Sequence, residues 1–295
     1  MSTVTVLRHA AQLVGLTAPD ETVRRGAAMR APGVIEDGAI VLRDGRIDWL
    51  GRTADLPPVP PDAEVLDLAG KVVLPGLVDS HTHLIFAGSR ADEFEQRLQG
   101  LTYQEISARG GGIASTVRQV RRASRDELKA LARPRLERFL RFGVTTVEVK
   151  SGYGLTPADE IKCLEAIADL NEEGPCELVP TFLGAHAVPP EFRDDRAGYL
   201  RLLCDDMLPE VARCRLADFC DVFCETGVFS LEESEHILAQ ARALGLRLKV
   251  HADELTPLGG AELAVRLGAA SADHLLCVSD AGIDALSRRA VVQVS

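Results

Sequence analysis

From residue 72 onward the chain alternates between short apolar runs and longer stretches of helical periodicity. Seven runs read as strands: 72–79, 144–150, 177–185, 219–225, 247–251, 271–276 and 290–294. Helical patterns fall between them. One runs from Arg125-Asp126-Glu127-Leu128 to Phe142, and another from Pro157 to Leu170, with Thr156 as N-cap and Pro157 at the first helical position. Helices of about 10–20 residues between apolar strands require crossover connections, and those build a parallel sheet. Eight such units close a barrel. With seven, the expected fold is α/β, a TIM-like (β/α)8 hydrolase barrel lacking strand 8, over residues 69–295.

Residues 1–68 have a different rhythm and predict a small β domain, sandwich-like, with its C-terminal strands absent. Gly38-Ala39-Ile40-Val41-Leu42 and Arg46-Ile47-Asp48-Trp49-Leu50 flank Arg43-Asp44-Gly45, and Asp-Gly is a strong hairpin signal. Pro57-Pro58-Val59-Pro60-Pro61 is a stiff spacer.

The 46% hydrophobic fraction over 295 residues is enough for a large core. A net charge of -11 argues against a nucleic-acid surface, which needs a basic patch. It also means that an acidic substrate requires a local Arg or Lys. Seven Cys, an odd and scattered set without a signal peptide before them, predict free thiols in a reducing cytoplasm. No apolar stretch approaches the roughly 18–20 residues of a membrane span.

The chemistry is carried by histidines. His81-Thr82-His83 closes the first run of the barrel pattern. Residues two apart on a strand point to the same side. Two neutral imidazole nitrogens about 2.0–2.1 Å from one ion are half of a zinc-type site. His186 ends the third run, His251 the fifth and His274 the sixth, and barrel enzymes place catalytic groups at the C-terminal strand ends. Glu254, three residues after His251, is the candidate general acid/base, the plain alternative being a helix N-terminal carboxylate held by the dipole. Cys220 and Cys224 have a metal-like spacing but read as core. Gly110-Gly111-Gly112 would let backbone approach a ligand closely, and is not a phosphate loop.

Several longer segments carry a family resemblance. Leu74-Pro75-Gly76-Leu77-Val78-Asp79-Ser80-His81-Thr82-His83 alone points to the amidohydrolase superfamily. Phe86-Ala87-Gly88-Ser89-Arg90, Tyr103-Gln104-Glu105-Ile106, Gly110-Gly111-Gly112-Ile113, Glu148-Val149-Lys150-Ser151-Gly152-Tyr153-Gly154-Leu155, Phe182-Leu183-Gly184-Ala185-His186 and His251-Ala252-Asp253-Glu254 narrow it. Over residues 35–295 the chain resembles the imidazolonepropionases.

The resemblance implies hydrolysis of the ring amide of 4-imidazolone-5-propanoate to N-formimidoyl-L-glutamate, in histidine degradation. It implies one zinc or iron ion on His81, His83 and His251, and a homodimer. Arg90 and Tyr153 would hold the propanoate, with Tyr103 as a further carboxylate contact and His186 near the ring carbonyl. Glu254 would touch substrate and act as acid/base, and His274 would transfer or orient a proton. A local Arg fork is what an anionic substrate needs on an acidic protein. Lys150 ends the second strand, where dinuclear relatives have a carboxylated lysine; in a mononuclear family it reads as structural. The family's eighth strand supplies a metal-binding Asp. Asp280 and Asp284 precede the seventh strand and are poor substitutes, so the chain reads as C-terminally truncated. Two other readings stand beside this one: a mononuclear aminohydrolase of a purine or pyrimidine base, and an inactive or partner-binding fragment.

Overall fold

The Asp44-Gly45 turn organises the N-terminal part of the chain. Both residues have positive φ, 51° and 76°, which a two-residue type I′ turn requires and Asp-Gly tolerates. In a computed structural model that describes residues 3–17, 24, 26–102, 105–106, 110–289 and 291–294, the chain divides into two units, Met1–Gly76 and Leu77–Ser295. In the first unit, β1 (Val4–Leu16), β2 (Gly33–Arg43), β3 (Arg46–Arg52), β4 (Glu64–Asp67) and β5 (Val72–Val73) form one sheet, ordered β3-β2-β1-β4 with β5 also on β1. Val4, Val6 and Val41 pack in one apolar cluster with Trp49, and Ala10, Leu13 and Ile40 pack in another.

The second unit holds a seven-stranded parallel sheet whose strands pair in chain order: β6 (Leu77–Asp79), β7 (Val144–Lys150), β8 (Glu177–Ala185), β9 (Phe219–Cys224), β10 (Arg247–Ala252), β11 (Ser271–His274) and β12 (Val292–Val294). Among the described residues its α-helices include α1 (Ala91–Leu98), α2 (Ile113–Arg122), α3 (Arg125–Arg141), α4 (Pro157–Glu173), α5 (Arg196–Arg201), α6 (Leu208–Cys214), α7 (Leu231–Ala243), α8 (Gly260–Leu267) and α9 (Asp280–Ser287). Their starts follow local chemistry. Ser124 with Glu127 and Ser230 with Glu233 form reciprocal capping boxes on α3 and α7. Thr156 accepts from Asp159 N–H ahead of Pro157.

One boundary differs from the sequence-based expectation. The run 72–79 predicts a single strand, but Pro75-Gly76 interrupts it, because proline cannot donate to a ladder. Val72–Val73 pair with Gln12–Leu13 in the small unit, while Leu77–Asp79 pair with β7. The division between units therefore falls after residue 76 instead of 68. No helix among the described residues is long and apolar enough to cross a membrane.

The core of the large unit lies between the sheet and its helices. Leu164, Ile167 and Leu170 of α4 share one apolar cluster with Leu128 and Ala132 of α3 and Val147 and Val149 of β7. Leu164 has no exposed surface. Leu164→Ala is expected to cost about 2–5 kcal/mol by urea unfolding, from lost transfer energy and the cavity left behind. A cost near zero would mean that α4 is not packed as described.

Candidate active site

His81 and His83 lie just past β6, not within its ladder. What fixes them is Thr82 between them. Its N–H donates to Glu148 Oε2 at 3.1 Å, its hydroxyl donates to the Glu148 carbonyl at 2.6 Å, and its own carbonyl accepts from Lys150 N–H at 3.0 Å. Thr82 is thus stitched to β7. Its two neighbours gather with histidines from the ends of other strands: the His81 ring is 4.6 Å from that of His251 and 4.9 Å from that of His274, and His83 stacks on His186 at 5.0 Å.

Two aspartates orient this cluster. Asp273 Oδ2 on β11 is 2.7 Å from His81 Nδ1. Asp221 Oδ2 on β9 is 2.9 Å from His251 Nδ1, and its other oxygen accepts the His251 backbone N–H at 3.1 Å. A carboxylate favours the proton on the nitrogen beside it, so Nε2 of each ring keeps its lone pair. The aspartates are held in turn by lysines. Lys150 Nζ, wholly buried, lies 2.8 Å from Glu148, 2.9 Å from Asp221 and 3.6 Å from Asp273. Lys249 Nζ lies 3.4 Å from Asp273 and donates to Ser271 Oγ at 2.6 Å.

Electrostatics follows from this burial. Burial alone would lower the Lys150 pKa, but Asp221, Glu148 and Asp273 override it and keep the ammonium charged. Burial would raise Asp221, yet His251 and Lys150 hold it well below the usual carboxylate range. Burial and the neighbouring His186 push His83 well down. Burial pushes His186 to about 3 and His251 to about 4, the latter against the pull of Asp221. Burial lowers His274 too, opposed by Glu254. His83, His186 and His251 are neutral at pH 7, the state that a metal ligand must have.

The donor set fits a metal ion. Ring nitrogens of His81, His251 and His274 lie within 4.8 Å of one another. His83 Nε2 is 3.4 Å from His251 Nε2, and ligands about 2.0–2.1 Å from one tetrahedral ion stand about 3.4 Å apart. His83 Nδ1 and Asp273 Oδ1 are buried without a hydrogen-bond partner among the described residues. The sequence-based ligand set has His83 where this trio has His274; His83 meets the trio through His251.

Around the cluster is a cavity of about 230 Å³ lined by His83, Arg90, Ile113, Tyr153, His186, Phe223, His251, Glu254, Leu255 and His274. Arg90 Nε donates to Glu93 Oε2 at 2.7 Å, and Glu93 Oε1 accepts from Gly112 N–H at 2.9 Å, so the glycine stretch begins α2 and ties to the arginine. Glu254 sits in a bend after β10, not in a helical turn, with Oε2 3.6 Å from His274 Nε2. Two non-glycine residues flanking this pair have positive φ, Asp253 at 49° and Leu275 at 59°, and His274 itself has 78°. Asp253 is held there because its carboxylate accepts the N–H groups of Gly259, Gly260 and Ala261. Tyr103 lies outside the described residues. Cys220 and Cys224 are buried free thiols.

Asp221, Asp273 and Glu93 are the site residues that motif reading misses. The available signal was a lone charge inside an apolar strand run, as in Phe219-Cys220-Asp221-Val222-Phe223, because charged groups are rarely buried unless paired.

Comparisons with known proteins bear on the fold and the family. The model of the amidohydrolase family matches residues 64–108. An imidazolonepropionase from Brevibacillus brevis is 49% identical over 292 residues, covering 98% of this chain and 69% of that one. Another, from Symbiobacterium thermophilum, is 53% identical over 278 residues, covering 92% and 65%. Among solved structures, 5-methylcytosine deaminase from Klebsiella pneumoniae liganded with 5-fluorocytosine aligns with a TM-score of 0.64 at 16% identity, over 98% of this chain and 65% of that chain. Guanine deaminase from Bradyrhizobium japonicum aligns at 0.61 and 16%, over 99% and 62%. These structural likenesses show the fold alone. The chain thus has the amidohydrolase fold, that of a metal-dependent hydrolase superfamily. Within that class it belongs to the imidazolonepropionase family, and it spans 69% and 65% of the length of the two relatives named.

Two results test the site. In metal-free protein, the unfolded chain takes up protons on these imidazoles below 6.5, while folded His251 refuses them down to about 4 and folded His186 to about 3. The unfolded state then binds more protons, so stability falls with falling pH. The urea midpoint is expected to drop between about pH 7 and about pH 5; a flat or rising midpoint would contradict the neutral buried cluster. Separately, Asp273→Asn is expected to weaken zinc affinity about 10–100-fold in a chelator competition, because it removes the carboxylate that orients His81. Unchanged affinity would remove Asp273 from that role.

Proposed function

We propose that the chain hydrolyses the ring amide of 4-imidazolone-5-propanoate to N-formimidoyl-L-glutamate, a step of histidine degradation. The observation that carries this reading is one small cavity with Arg90 and Tyr153 together with the histidine cluster and Glu254. A carboxylate group and a hydrolysable carbonyl on one small molecule match those features. A purine or pyrimidine base brings no carboxylate for Arg90.

In this proposal His81, His83 and His251 hold one zinc or iron ion, both of which suit imidazole ligands. When bound, such an ion polarises a carbonyl and lowers the pKa of water toward about 7. The remaining roles belong to side chains. The Arg90 guanidinium takes the propanoate as a charge-assisted pair, joined by the Tyr153 hydroxyl. Glu254 accepts the proton of the attacking water and delivers it to the leaving ring nitrogen. His274 orients the Glu254 carboxylate across their 3.6 Å separation. The buried carboxylates keep the imidazoles aimed while the substrate changes charge.

The seven-stranded parallel sheet is read as part of a (β/α)8 barrel, and the five-stranded sheet as part of a sandwich-like companion. The family resemblance adds a homodimer, which light scattering would test.

Steady-state kinetics tests the assignment. Arg90→Ala is expected to raise KM for imidazolone propanoate about 10–100-fold, the worth of a hydrogen-bonded charge. Glu254→Gln is expected to lower kcat about 10²–10⁴-fold. An unchanged KM in the first variant or an unchanged kcat in the second would contradict the corresponding role.

A further inference from the structure

We infer that Glu160 is a positioning residue that fixes the tautomer of His186, making His186 an acceptor for a ring N–H of the substrate. The substrate half of this inference rests on the function proposed above; the tautomer half does not.

Glu160 lies in the first turn of α4 and is 1% exposed. No cation pairs with it among the described residues. A buried carboxylate without a counter-charge is costly unless it is well hydrogen-bonded, and α4 is already capped by Thr156. What Glu160 holds is the loop after β7. Its oxygens accept the N–H of Gly152 at 3.0 and 3.2 Å, of Gly154 at 2.8 Å and of Leu155 at 2.8 Å. The loop is strained, with φ of 98° at Gly152 and 56° at Leu155. It carries Tyr153 into the cavity.

The peptide groups on either side of Gly152 link this grip to His186. The Gly152 N–H is held by Glu160, and the Gly152 carbonyl lies 2.8 Å from His186 Nδ1. A carbonyl oxygen only accepts, so Nδ1 carries the proton. Residue 152 must be glycine for this approach: a Cβ there would stand 2.8 Å from the Leu183 carbonyl oxygen and 3.1 Å from His186 Nδ1. In the neutral ring, Nε2 then holds a lone pair. It has no hydrogen-bond partner among the described residues, and the ring lines the cavity beside Tyr153 and Glu254. A lone pair repels a carbonyl oxygen and attracts an N–H. His186 is therefore set to bind the ring's N–H edge, not the ring carbonyl that the family resemblance implied.

The test is ¹⁵N–¹H NMR of the intact protein labelled at histidine, with the His186 signal identified by its loss in His186→Gln. The expected result is a proton on Nδ1 and none on Nε2 at neutral pH. A proton on Nε2 would overturn the inference whatever the substrate. In Glu160→Gln, one acceptor oxygen becomes a donor facing backbone N–H groups. The His186 tautomer is expected to become mixed and KM for imidazolone propanoate to rise about 3–10-fold, with kcat and metal content nearly unchanged. A wild-type tautomer and KM in that variant would overturn the positioning role. If Glu160→Gln does not fold, Glu160→Asp, which keeps the charge and reaches fewer amides, is read by the same two criteria. Because the tautomer is measured without substrate, its failure is distinct from failure of the proposed reaction.

Discussion

The site depends on one buried charge arrangement. Lys150 sits beneath the histidines with Glu148, Asp221 and Asp273 around it, and Lys249 adds a second cation on Asp273. Removing these charges from water is expensive, and only close pairing with satisfied hydrogen bonds offsets the cost. The arrangement is therefore rigid in position and sign. Its outputs are the two aspartate oxygens that meet His81 and His251. Those contacts settle which ring nitrogen is protonated and which is offered to a ligand. Without the lysines, two adjacent buried aspartates would repel each other and could not both remain ionised. The metal chemistry thus begins with two lysines that touch no ligand themselves.

The same device recurs in the loops. Glu160, Glu225 and Asp253 are buried carboxylates that accept backbone N–H groups of the segments following strands. Glu225 grips Leu255 and Thr256 immediately after Glu254, and Asp253 grips the start of α8 immediately below it. Positive φ at Asp253, Leu155 and His274 is stored strain that a freely moving loop would relax. Orientation at the cavity is thus set by hydrogen bonds to backbone, with the sheet as the fixed reference.

Much of this was legible in the sequence, and the rest was hidden for physical reasons. Alternating apolar runs and helical periods placed all seven parallel strands, because hydrophobic periodicity reports directly on burial. The Pro75-Gly76 interruption was missed because apolar residues flank it on both sides, and composition does not distinguish one strand from two. The histidines at strand ends stood out, since few residues other than metal ligands need that type in that place. Asp221 and Asp273 were invisible to motif reading because their partners are distant in sequence: Asp273 meets His81 across 192 positions and Asp221 meets His251 across 30. Glu93 pairs with Arg90 only three positions away, and what stays hidden there is its second bond, to the Gly112 N–H. Glu160 occupies a first-turn helix position, where an acid is unremarkable, and only the folded loop reveals its partners.

The central claim is that this carboxylate-oriented histidine cluster presents neutral imidazoles to one metal ion. Elemental analysis of the purified chain, with X-ray absorption at the edge of the metal found, tests it most directly. The account predicts about one zinc or iron per chain in a shell of nitrogen and oxygen near 2.0–2.1 Å, with imidazole scattering. No stoichiometric metal, or a shell containing sulfur, would contradict it.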